Sequence, residues 1–221
     1  MDIATFRVKY EHAQFRESDL AATPLAQFER WLAEAAAAGV GEPNAMAVST
    51  VDATGAPRAR HVLLKAVEPR GFVFFTNYDS RKGQDLAANP RVSLLFPWLQ
   101  LFRQVEVRGL AERVSREESE AYFATRPYGS QIGAWASSQS QPMPELADFD
   151  ERYARFSAQY PEGTTVPAPA NWGGYLVRAF SVEFWAGHES RLHDRLRYET
   201  ADGAVADLAE ATAWQVRRYY P

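Results

Sequence analysis

Hydrophobic positions along this chain follow two periods, and the switch between them places the elements. Over residues 24–38, Leu25, Phe28, Leu32 and Ala35 recur at steps of three and four, the spacing of one helix face. Thr23 supplies a cap, Pro24 suits the first turn and Gly39 suits the stop. From residue 44 the helical period disappears. NAMAVSTV, RARHVLLKAV, GFVFFTN, RVSLLFPW and LFRQVEVRGLAERV read as successive strands, with turn chemistry in DATGAP and EPRG. SRKGQDLAANP reads as a short helix capped by Ser80 and closed by Asn89-Pro90. SREESEAYFATRP opens on a capping box, Ser115 with Glu118, and stops near Arg126 because Pro127 disfavours helical geometry in the residue before it. Residues 145–160 put Leu146, Phe149, Tyr153 and Phe156 on one face of a further helix. The proline-rich stretch PEGTTVPAPANWGG then connects to two last strands, YLVRAFSVEFW and RLHDRLRYE, and a short segment WQVRRYYP.

Strands that follow one another with few helices between them predict an antiparallel meander, hence a barrel or sandwich rather than a doubly wound sheet. Two strands are too few to make a domain beyond the connector, so they are expected to complete the first sheet in a single domain.

Composition narrows the chemistry. With 24 Lys and Arg against 28 Asp and Glu, the net charge of −4 argues against a nucleic-acid partner. The absence of cysteine removes disulfides, thiolate metal sites, iron–sulfur clusters and cysteine nucleophiles. The first twenty residues carry charges throughout and lack the apolar core of a signal peptide, and no run reaches the length of a membrane span. The expectation is a cytoplasmic enzyme or binding protein with no membrane partner. HESRLH misses the zinc-protease pattern because His188 and His193 are five apart rather than four. With only His12 and His61 besides, no metal site is expected. GSQIG is not a nucleophile elbow, and no phosphate-binding P-loop or dinucleotide glycine pattern occurs.

Basic residues remain. Arg58, Arg60 and Lys65 interrupt an otherwise apolar strand. In a flat strand Arg60 and Lys65 face opposite sides, so they serve different contacts or a bulge intervenes. Arg81 and Lys82 sit beside a helix N-terminus, which already favours a phosphate. Tyr122 and Arg126 share a helix face at i,i+4, with Ser130 just past the break, a phenol, a guanidinium fork and a hydroxyl suited to a phosphate. Arg191, His193 and Arg195 alternate, so a strand there turns all three to one face. Each cluster alone is more often a solvated edge or helix end than a binding site. Together, in an acidic chain, they point to anion binding without naming the ligand.

Taken in order, NAMAVSTVDATGAPRARHVLLK, FFTNYDSRKGQDLAANPRVSLLFPW, RQVEVRGLAERVS, YFATRPYGSQIGAWASSQS and FWAGHESRLHDR resemble successive signatures of the pyridoxine (pyridoxamine) 5′-phosphate oxidases, from about residue 6 to the C-terminus. The resemblance implies an α+β, mainly antiparallel split β-barrel with flanking helices over residues 23–221, and a 1–22 segment that can close over substrate. It implies a homodimer with FMN at its interface. The activity implied is oxidation of pyridoxamine or pyridoxine 5′-phosphate to pyridoxal 5′-phosphate, with O₂ reduced to hydrogen peroxide. Matched residue by residue, the FMN contacts are Arg60, His61, Val62, Leu63, Leu64, Lys65, Phe75, Thr76, Arg81, Lys82, Gln104, Gln139, Ser140, Trp185 and Arg195. Substrate contacts are Arg7, Tyr10, Lys65, Tyr122, Arg126 and Ser130, with Arg191 and His193 flanking the pyridine ring as the catalytic pair. His188 receives no role. The C-terminus departs from the family pattern, which closes with arginine, leucine, a small residue and proline: here it reads RRYYP. The same barrel in related enzymes serves phenazine-pathway oxidases and flavin reductases, the alternative reading, and a non-catalytic flavin or pyridoxal-phosphate binder is a third.

Overall fold

The computed structural model describes residues 1–5, 10 and 14–221. Helix α1, Pro24–Ala37, starts where Thr23 Oγ1 accepts from the Ala26 N–H, and packs Phe28, Trp31 and Ala35 into the sheet. The strands are β1 (Ala45–Val51), β2 (Pro57–Leu63), β3 (Ala66–Glu68), β4 (Gly71–Asn77), β5 (Arg91–Trp98), β6 (Arg103–Arg113), β7 (Trp172–Ala186), β8 (Asp194–Glu199) and β9 (Gln215–Tyr219). All pair antiparallel in one sheet, β2-β1-β5-β6-β7-β4-β3, with β8 on β7 and β9 on β8.

β7 explains the split. One edge pairs with β6 along its length; the other pairs with β4 over residues 172–177 and with β8 over residues 181–186. The sheet forks there and curls around a core. Alternate positions feed that core, as in the one-in, one-out burial of β1 and β5. Met46, Val48, Leu94, Phe96, Val105, Val107, Phe184 and Leu196 are fully buried in it. β4 is buried on both faces because a second layer covers it: α3 (Arg116–Ala124), α4 (Tyr128–Ala136) and α5 (Leu146–Gln159). This layer has its own small core of Phe123, Ile132, Val166, Ala168 and Trp172, with Phe75 and Tyr122 packed against it. Arg116 fastens the proline-rich connector by donating to the Ala168, Pro169 and Trp172 carbonyls. No helix is long and apolar enough to cross a membrane among the described residues.

Four local expectations need correction. RARHVLLKAV is two strands, broken at Leu64 and Lys65 so that the chain can leave β1 for β4. The proline after α3 begins a new helix, α4, whose Gly- and Ser-containing sequence gives a weak helical signal. WQVRRYYP supplies a true strand, β9. RLHDRLRYE is a strand only from Asp194: Ser190 and Arg191 have φ of 56° and 64°, left-handed geometry that a strand cannot accommodate.

Candidate active site

Between the end of β2, β4 and the α3–α4 corner lies a cavity of about 570 Å³, lined by Lys65, Phe75, Thr76, Tyr122, Arg126, Ser130, Gln139 and Trp172 among others. Its back wall is aromatic. Tyr122 stacks on Phe75 with ring centres 4.0 Å apart, and Trp172 continues the stack at 5.4 Å from Phe75. Arg126 lies over this wall, its guanidinium carbon 4.8 Å from the Trp172 ring centre. The Nη1 of Arg126 is buried without a hydrogen-bond partner. Burial lowers the Arg126 pKa, with the Tyr122 phenol acting in the opposite direction. A buried guanidinium edge left open costs free energy until an anion meets it. Gln131 on α4 clasps the end of α3 by donating from Nε2 to the Phe123 and Ala124 carbonyls, which holds Arg126 and Ser130 on one corner. Lys65 is placed by the strand break, its N–H donating to the Val73 carbonyl.

Beside this cavity a buried cation sits at the start of α2, Arg81–Ala88, which Ser80 caps. Lys82 Nζ donates to Thr76 Oγ1 at 3.0 Å and Gln139 Oε1 at 3.2 Å, both neutral oxygens. Burial brings its pKa down to about 8, with the positive Arg60 acting the same way. Arg60 reaches across β1 to the Val48 carbonyl and to Thr50 Oγ1 at 2.7 Å. Buried Asp85, absent from the sequence reading, anchors this group: it accepts from Thr50 at 2.7 Å and pairs with Arg58 and Arg60. Its one signal was position, four residues after Arg81 in the same short helix.

The remaining candidates assemble elsewhere. Register puts Gln104 opposite Trp185, Trp185 opposite Arg195, and Arg195 opposite Tyr219, one rung across β6, β7, β8 and β9. His193 packs on Trp185 at 4.6 Å between ring centres and on Tyr10 at 5.3 Å, and Arg191 lies 5.6 Å over the Tyr10 ring. His193 is therefore brought to Trp185 by the tight turn before β8, not by strand alternation. The His188 N–H donates to His193 Nδ1 at 3.1 Å, so the neutral ring carries its proton on Nε2. Burial, then Arg191 and His188, lower the His193 pKa and favour that neutral form, against a smaller pull from Asp194.

Among the sequence candidates, Val62 and Leu63 line the cavity with Lys65. His61 is exposed on the alternate face of β2, and Arg81 is exposed at the first turn of α2. Leu64 turns into the core, and its N–H and C=O are both bonded to Asn44. Ser140 lines a neighbouring hollow with a φ of 70°. Arg7 lies outside the described residues.

The candidates thus fall into two groups at opposite ends of β7. Phe75 pairs with Gly174 near the start of β7, whereas Gln104 and Arg195 meet Trp185 near its end. Those eleven residues correspond to roughly 35 Å of strand.

Residues 32–160 match the family model described as pyridoxamine 5′-phosphate oxidase, and residues 172–221 match that described as the pyridoxine 5′-phosphate oxidase C-terminal dimerisation region. The chain is 54% identical to a pyridoxine/pyridoxamine 5′-phosphate oxidase of Kineococcus radiotolerans, covering 100% of this chain and 99% of the relative. It is 52% identical to one of Streptomyces avermitilis, covering 100% and 96%. Among solved structures, PhzG from Burkholderia lata, in complex with tetrahydrophenazine-1-carboxylic acid, superposes with a TM-score of 0.84 at 27% identity, over 97% of this chain and all of that one. A pyridoxamine 5′-phosphate oxidase-related, FMN-binding protein of Nostoc punctiforme shares the fold, with a TM-score of 0.67 at 13% identity over 88% of this chain and 97% of that one.

Proposed function

The chain belongs to the pyridoxamine 5′-phosphate oxidase family, and from that premise we propose that it oxidises pyridoxamine 5′-phosphate and pyridoxine 5′-phosphate to pyridoxal 5′-phosphate. The products of the amine reaction are the aldehyde, ammonia and hydrogen peroxide, with water and O₂ consumed. The observation that carries this reading is the convergence of Arg126, Lys65, Tyr122 and Ser130 on one cavity, with Arg126 Nη1 lacking a hydrogen-bond partner in the chain. Two cations, a phenol and a hydroxyl on one cavity fit a phosphate ester at the end of a flat ring.

The cofactor proposed is FMN. Its fit rests on the buried Lys82 ammonium, whose two hydrogen-bond partners are uncharged, with Arg60 nearby. That surplus of buried positive charge suits a second phosphate. When bound, FMN would supply the two-electron acceptor that oxidation at the substrate C4′ carbon requires. Lys82, Arg60 and Thr76 would hold its phosphate end, and Gln104, Trp185 and Arg195 from the other half-site its ring.

The residues of the chain then do the positioning. Lys65, Tyr122, Arg126 and Ser130 fix the substrate by its phosphate, and an error of about 1 Å in that pose costs rate steeply. His193, held as the Nε2–H tautomer, donates to the phenolic oxygen of the pyridine, and Arg191 offers that oxygen a positive partner. Tyr10 packs against both side chains, edge-on to the His193 ring and beneath the Arg191 guanidinium. We further propose a homodimer in which the cavity of one chain meets the Arg191–His193 half-site of its partner. The match of residues 172–221 to a dimerisation region supports it.

Peroxide release and pyridoxal 5′-phosphate formation by the FMN-loaded protein test the reading, with both B6 phosphates as substrates. Turnover of at least one, lost in an Arg126→Ala variant through a raised KM, is the expected result. The alternative is an FMN oxidase acting on a phenazine precursor, as the likeness to PhzG allows. Turnover of a dihydrophenazine carboxylate with none of either B6 phosphate would replace the first reading with the second.

A further inference from the structure

Glu183, on β7, is a carboxylate only 3% exposed that has no task in the reaction as described. Register sets Glu106, Glu183, Arg197 and Arg217 opposite one another, two rungs away from Gln104, Trp185, Arg195 and Tyr219 and so on the same face of the sheet. Arg195 grips Glu183 with both forks, Nε to Oε1 at 2.9 Å and Nη2 to Oε2 at 3.1 Å. Arg197 shares Oε2, from Nε at 3.0 Å and Nη2 at 2.6 Å. Burial alone would raise the Glu183 pKa, but the hydrogen bonds and charges of the two arginines hold it below the ordinary carboxylate range. The pair is therefore ionised, and one carboxylate serves two cations.

The C-terminal strand closes this group from the other side. Arg195 Nη1 donates to the Tyr220 carbonyl at 3.1 Å. Tyr219 covers Arg197, the guanidinium carbon 3.9 Å from its ring centre, and its hydroxyl donates to Glu199 at 2.8 Å. These are the two residues at which the C-terminus departs from the family ending. Three of the five N–H donors of Arg195 are thus engaged within the chain, which leaves two for a ligand in a fixed direction. A side chain ordered before the ligand arrives spares the ligand that ordering cost.

We propose that Glu183 and Tyr219 are positioning residues for the flavin. Glu183 aims Arg195, and Tyr219 holds in place the Arg197 that shares its carboxylate. The inference rests on the reading of Arg195 as an FMN contact.

Charge and geometry make opposite predictions, which makes the test sharp. Removing the Glu183 charge leaves more positive charge near the flavin, so a purely electrostatic role predicts tighter FMN binding in Glu183→Gln. A positioning role predicts weaker binding. FMN titration of the dimeric apo-protein, read by quenching of flavin fluorescence, is expected to show affinity reduced roughly tenfold in E183Q. Tyr219→Ala should lose roughly threefold, while Tyr219→Phe, which keeps the ring over Arg197, should stay within about twofold of the parent. In an Arg195→Ala background, E183Q should have no further effect, whereas mere damage to the fold would persist there. Unchanged or tighter binding in E183Q, or an undiminished E183Q effect in that background, overturns the inference. If Arg195→Ala itself binds FMN like the parent, the reading of Arg195 falls, and the inference with it. Should Y219A fail to fold, the E183Q cycle decides alone.

Discussion

Lys82 keeps an ammonium inside the protein with Thr76 Oγ1 and Gln139 Oε1 as its partners, and that arrangement has a pH signature. Burial, reinforced by Arg60, lowers its pKa to about 8. A phosphate monoester carries its second charge above about pH 6. Below pH 8 the ammonium is charged and attracts the phosphate; above it the neutral amine does not. FMN affinity of the apo-protein is therefore expected to be highest between about pH 6 and 8. It should fall as the pH rises through the Lys82 pKa, by at most about tenfold per unit for one proton. Fluorescence titrations across that range check this, and Lys82→Met should remove the dependence along with much of the affinity. A parent profile that stays flat up to pH 9 or so would take Lys82 out of the phosphate site. Residue type and spacing were enough to single out Lys82 and Arg126 as anion candidates. Their unpaired state was not legible, because it depends on what burial removes: the water that a surface cation would otherwise have.

The elements place these residues, and their legibility followed the strength of the local pattern. α1 and α3 were readable because caps, period and stops agree: Thr23 and Ser115 both cap as expected. β8 misled for a tertiary reason. Arg191, His193 and Arg195 alternate in sequence, but left-handed Ser190 and Arg191 make a tight turn that hands His193 to Trp185 directly. Glu183 on β7 carries no signal in the local pattern, since its partners Arg195 and Arg197 come from the next strand, β8, and meet it only through the register of the sheet. Helix α2 offers the test at this level. A Cβ at Gly83 would lie 2.1 Å from the Tyr78 carbonyl oxygen, which is backbone and cannot swing aside. Alanine in a helix normally gains up to about 1 kcal/mol over glycine. Here overpacking, at roughly 1–3 kcal/mol or more, should win and push α2 off the end of β4. Gly83→Ala is thus expected to lower stability in urea unfolding of the apo-protein and to weaken FMN binding through Lys82. A variant as stable as the parent would mean that α2 docks less tightly than this contact requires.

At the level of the whole molecule, the decisive feature is that β7 carries the two half-sites at its opposite ends. The cavity with Arg126 belongs to the β4 side of the fork, and Arg191, His193 and Arg195 belong to the β8 side. The proposed two-fold dimer would resolve the separation by giving each cavity the partner's opposite half-site. Subunit mixing tests this directly. Arg126→Ala and Arg191→Ala homodimers should each be nearly inactive. In a mixed dimer, one site receives both substitutions and the other receives neither. Random exchange makes about half of the dimers mixed, so about a quarter of parental activity should return. Mixing after mild denaturation and refolding, with exchange verified by native mass spectrometry, provides the measurement. If mixed dimers form and no activity returns, the Arg126 cavity and the Arg191–His193 half-site must serve one another within a single chain. The roughly 35 Å of β7 between them would then have to be closed by a rearrangement of the sheet.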